Sequence, residues 1–123
     1  MSMTIARRSL SLVLGAALSG LVGVTGAWAA DTITGEVVDM ACYMPHPDTG
    51  RGPGHRKCAD TCLKKGLPIG LVTDDKQVYL LLEDHENPKA YAQLKDKAAE
   101  KITVEGNKTT QGGVNAMVVE SIK

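Results

Sequence analysis

The sequence predicts a small, mainly β domain of five strands and one or two helices, with a cysteine-rich loop-helix insertion after the first strand. Three observations carry that prediction. Runs of β-branched and aliphatic residues recur between clusters of Gly, Pro, Asn and Asp, the pattern of short strands joined by turns. One segment, from Asn87 onward, pairs a capping residue with a first-turn proline and helical spacing. The three cysteines, with two of the three histidines, all fall between Cys42 and Cys62.

Residues 1–30 are expected to be a secretion signal and to lie outside the domain. Arg7 and Arg8 precede an apolar run from Leu10 to Val24, and Ala27-Trp28-Ala29 then supplies small residues for cleavage near residue 29 or 30. The run is interrupted by Gly and Ser and falls short of the roughly 20 residues a membrane span needs. No membrane span is therefore expected after signal removal. The arginine pair also raises the twin-arginine route, but only that pair and Leu10 match its pattern, so ordinary secretion is the reading adopted. The predicted location is periplasmic or secreted.

The remainder, 31–123, reads as a single domain. Residues 32–40 form a first strand rich in β-branched residues, with Gly35 a candidate bulge. The stretch from Met44 to Lys57 holds Pro45, Pro47 and Pro53 with Gly50, Gly52 and Gly54, which excludes a helix or a central strand. A loop this long inside a compact domain is usually functional or disordered. From about His55 to Lys65 a short helix is expected, stopped by Gly66 and Pro68. Residues 69–73 and 77–83 read as a hairpin across Asp74-Asp75-Lys76. A helix follows from 88 to about 100, because Tyr91, Leu94 and Ala98 share one face. Strands over 101–105 and 114–122 complete the chain, joined by a polar loop containing Gly106, Asn107, Gly112 and Gly113.

Five strands with a helix between the third and fourth is the order found in OB-fold barrels. In that order the chain resembles the small secreted OB-fold-like proteins of bacteria, some of which bind metals. The resemblance implies a five-stranded barrel over 31–123, with residues 41–67 as an insertion carrying the cysteines and histidines.

Composition excludes several function classes. Removing 1–30 takes two arginines and no acid, leaving twelve basic against fourteen acidic residues, which is no footprint for nucleic acid. The only aromatics left are Tyr43, Tyr79 and Tyr91, too few for a base-stacking platform. One serine, Ser121, remains beyond the signal, so serine catalysis is not expected. Cys62 is followed by Leu63, which removes covalent haem attachment, and a fourth cysteine for an iron–sulfur cluster is missing. Phosphate-binding glycine spacings are absent. Nothing in the sequence points to catalysis.

The remaining chemistry sits in Cys42, His55, Cys58 and Cys62, with Met40, Met44 and His46 nearby. On a helix over 55–65, His55, Cys58 and Cys62 fall at i, i+3 and i+7 and share one face. Cys42 can be brought over that face by the Pro/Gly loop, giving a Cys3His or a Cys2His-plus-Met pocket. Thiolate and imidazole suit zinc and copper, and a thioether favours Cu(I). The Cys58-x-x-x-Cys62 pair resembles the thiol pair of Sco-type copper chaperones and of the dinuclear copper sites of terminal oxidases, which implies a copper ligand set. A disulfide is the competing expectation, because exported cysteines meet an oxidising compartment. Three cysteines then give one bridge and an odd thiol, open to a disulfide-linked dimer. Thiol redox chemistry is less favoured, since it calls for Cys-x-x-Cys. His46 and His85 read as exposed loop residues and Met117 as core packing. Two functions follow as expectations: a periplasmic protein binding Cu(I) or Zn²⁺, with a metal-receiving partner, or a disulfide-stapled binding module with neither metal nor catalysis.

Overall fold

A computed structural model describes residues 29–123; the predicted signal, apart from its last two residues, lies outside the described residues. Five strands, β1 (Asp31–Asp39), β2 (Ile69–Val72), β3 (Val78–Glu83), β4 (Lys101–Gln111) and β5 (Val114–Ile122), close into a barrel in the order β1-β2-β3-β5-β4. β3 and β5 run parallel and every other pair is antiparallel. Among the described residues three short α-helices accompany it: α1 (Met40–Tyr43), leading into the insertion, α2 (Arg56–Lys64) within it, and α3 (Pro88–Gln93) between β3 and β4. The molecule is the mainly β, OB-like barrel that the element order implies. Among the described residues, no helix is long and apolar enough to cross a membrane.

Strand β1 is shared between two partners, pairing with β4 from Asp31 to Glu36 and with β2 from Glu36 to Asp39. Gly35 stands just before that exchange, and its pairing with β4 runs without a break, so it is not a bulge. Glycine is needed there for another reason: a Cβ would lie 2.5 Å from the Val72 carbonyl oxygen. The register shift falls in β4 instead, between Glu105 and Gly106.

Strand β4 continues six residues past the Glu105 end expected from the sequence. The polar run Asn107–Gln111 lies exposed beyond the body of the barrel, where solvent removes the need for apolar alternation. Gly112 and Gly113 both have positive φ, 58° and 80°, and form the two-residue turn whose twist suits a hairpin.

The helix expected over 88–100 is shorter, ending at Gln93 and running into a single 3-10 turn over Leu94–Asp96. The apolar face is real: Leu94 is wholly buried and Ala98 nearly so. Competing hydrogen bonds cut it off. The Ala99 N–H donates to the Val37 carbonyl and the Val37 N–H to the Glu100 carbonyl, both at 2.9 Å, tying this segment to β1. Ala99 takes φ of 57° to make the turn.

Helix α2 is held to the barrel by Ala59 and Leu63, four residues apart and both in the main core with Val37, Leu71, Val104 and Val119. Leu63 is completely buried. Leu63→Ala is expected to lower unfolding free energy by about 2–5 kcal/mol, read as a lower urea midpoint. A loss below about 1 kcal/mol would mean that α2 is not anchored by this side chain.

Candidate metal centre

Asp39 ends β1 and is fully buried. Its Oδ1 accepts the Cys42 N–H at 3.0 Å, capping α1, a helical turn for which the sequence reading had no element. That turn carries Cys42 off the strand towards α2. The chain then folds back: the His46 N–H donates to the Cys42 carbonyl at 3.1 Å, and the Gly50 N–H to the His46 carbonyl at 2.7 Å. Gly50 packs so closely on α1 that a Cβ would lie 2.7 Å from the Cys42 carbonyl oxygen. Glu36 fixes the next residues, accepting from the Gly52 N–H and pairing with Arg51 at 3.0 Å. The Pro/Gly stretch is thus an ordered strap. A 3-10 turn over Pro53–His55 then delivers His55 to the start of α2.

Cys58 and Cys62 each sit one position before the buried pair Ala59 and Leu63 on α2, which turns them off the core side of the helix. The sulfurs of Cys42, Cys58 and Cys62 all lie within 4.8 Å of one another. Three thiolates about a tetrahedral zinc, each about 2.3 Å from it, stand roughly 3.8 Å apart, so small side-chain rotations would close this group on an ion. Asp39, Cys42 and His55 form a second group under the same 4.8 Å limit, with Cys42 common to both. His55 Nε2 lies 3.4 Å from Asp39 Oδ2.

The electrostatics hold protons on Cys42 and Cys62. Cys42 is pushed up to about 12, chiefly by its hydrogen bond to the Asp39 carboxylate, then by burial and by the negative charges of Asp39 and Cys58. Burial, with Asp39 and Cys58 adding to it, also raises Cys62. The same negative field attracts a cation, and metal binding replaces those protons.

The structure brings together each of the four ligands read from the sequence, but in two overlapping groups rather than one four-ligand pocket. Cys58 is exposed while Cys42 and Cys62 are half-buried. All three cysteines are free, so no disulfide joins them among the described residues. Met40 and Met44 line a groove of about 260 Å³ with Val78, Leu80 and Val114. His46 and His85 are exposed and Met117 is buried in the core, as expected.

Asp39 is the residue that sequence reasoning missed, having been absorbed into the first strand. Its type was the available signal: aspartate is disfavoured inside strands and favoured as a helix cap. Fold and site define a small OB-like barrel whose insertion brings three thiols and an imidazole to a carboxylate at the end of β1, in two overlapping groups close enough to hold a metal ion. No family model, curated protein or solved structure matches this chain.

Proposed function

We propose that this is an exported metal-binding protein that holds Zn²⁺ or Cu(I) on the thiolates of Cys42, Cys58 and Cys62, as a carrier or as a stably metallated domain. The observation that carries this reading is the convergence of three sulfurs from two separate helices, each fixed to the barrel by its own contacts. Thiolate donors select zinc and Cu(I) over hard cations such as Mg²⁺ or Ca²⁺. Export rests on the residues of 1–30, and periplasmic or secreted placement follows from it. The exposure of Cys58 supports the carrier form, because an incoming thiolate from a receiving protein can displace an exposed ligand first.

Alkylation and melting of the reduced protein test the proposal. With Zn²⁺ or Cu(I) bound, all three cysteines are expected to resist iodoacetamide. At free metal about a thousandfold above Kd, binding stabilises the fold by about 4 kcal/mol, raising the melting midpoint by about 15–30 °C in a domain of this size. Equal alkylation rates and equal midpoints with and without metal would refute it.

A further inference from the structure

Asp39 is not explained by three thiols closing on one ion. The carboxylate is fully buried, yet among the described residues its one ion-pair partner is His55. A carboxylate withdrawn from water needs hydrogen bonds on both oxygens or a compensating positive charge. Oδ1 is satisfied by the Cys42 N–H at 3.0 Å. The Cys42 thiol also hydrogen-bonds the carboxylate, but the ring facing Oδ2, His55 Nε2 at 3.4 Å, stands farther off than the 2.7–3.2 Å of an ordinary N–H···O hydrogen bond. Nitrogen and oxygen ligands at about 2.0–2.1 Å from a tetrahedral zinc stand about 3.3–3.4 Å apart. The pair is therefore spaced as two ligands of one ion, and the Cys42 sulfur lies within 4.8 Å of a ligand atom of each residue.

We propose that Asp39, Cys42 and His55 form a second divalent-metal position, joined to the tri-thiol position by the Cys42 thiolate as a bridge. The inference rests on the metal-binding reading above and deepens it. The donors suit the assignment: carboxylate, imidazole and thiolate together favour Zn²⁺ over Cu(I), which does not seek carboxylate oxygen. Charge agrees as well. Three thiolates and one carboxylate carry four negative charges, which two divalent ions balance and one leaves half uncompensated. A second ion also supplies the positive charge that the buried Asp39 lacks.

Zinc titration of the reduced full chain without oxygen, followed by native mass spectrometry, tests this. Two zinc ions per chain are expected at saturation. Asp39→Asn and, separately, His55→Gln are expected to retain one, because each removes a ligand of the second position only. The asparagine keeps an oxygen to cap α1, and His55→Gln, at a half-buried site ahead of α2, carries the test if the first variant unfolds. Cobalt(II) gives a second readout. A shared thiolate couples the two spins, so the electron paramagnetic resonance signal per cobalt falls as the second equivalent binds, and Asp39→Asn abolishes that fall. Saturation at one ion per chain, or two ions retained in both variants, overturns the proposal and leaves the tri-thiol site standing. No zinc bound at all would instead refute the metal-binding reading on which it rests.

Discussion

Cys42→Ser is expected to abolish tight metal binding, weakening zinc affinity by on the order of a thousandfold, beyond the 10–100-fold usual for changes to residues that merely support a ligand. Cys42 is the one side chain common to both ligand groups, so no arrangement of the remaining donors restores either. Serine is close in size, and Cys42 lies outside both clusters of buried apolar residues, so the metal-free variant keeps its circular dichroism and unfolding midpoint. Cys58→Ser makes the informative comparison. It removes an exposed ligand from the tri-thiol group alone and leaves Asp39, Cys42 and His55 in place. Competition against a chromophoric chelator reads both variants. Equal affinity in Cys42→Ser and the unaltered protein would remove Cys42 from the centre.

Affinity is expected to depend steeply on pH, and in the opposite direction from the stability of the metal-free fold. Cys42, pushed up to about 12, and Cys62, also raised, are protonated in the free protein through the neutral range and lose their protons to bind. Each proton released changes affinity tenfold per pH unit, so these two thiols alone give about a hundredfold loss per unit as pH falls. Without metal the sign reverses. A thiol whose folded value lies above the ordinary 9.0 stabilises the fold while protonated, and that contribution is lost as pH rises from about 9 towards about 12. Chelator competition at pH 6.5 and 7.5 measures the first effect, and alkaline urea denaturation of the metal-free protein measures the second. Affinity independent of pH would mean that the thiols do not ligate.

The elements legible in the sequence were those whose pattern coincides with their burial. In β5 the buried residues Ala116, Met117 and Val119 lie within an apolar run bounded by turn residues, and the strand ends where the sequence places it. The errors arose where a distant partner decided the outcome. Helix α3 stops early because Val37, far away on β1, takes the backbone groups of Ala99 and Glu100. Strand β4 runs on through polar Asn107–Gln111 because the Gly112-Gly113 turn pairs them with β5, which local hydropathy does not reveal. In the site, the register of His55, Cys58 and Cys62 pointed to residues that the fold brings close together with Cys42, although α2 begins at Arg56 and His55 is its cap rather than part of its first turn. Nothing local required the Asp39 carboxylate to be buried between α1 and His55. That role depends on the strap from Pro45 to Gly54 folding back over the end of β1.

The central claim is that these cysteines ligate metal in the protein as it is made and exported. Its most direct test is metal content by mass spectrometry together with a thiol count, on protein recovered from its exported location. The predicted result is stoichiometric zinc or copper with three unoxidised cysteines, the metal being lost in Cys42→Ser, which removes the thiol common to both groups. One disulfide, one free thiol and no metal, even after loading with Cu(I) or Zn²⁺, would contradict it.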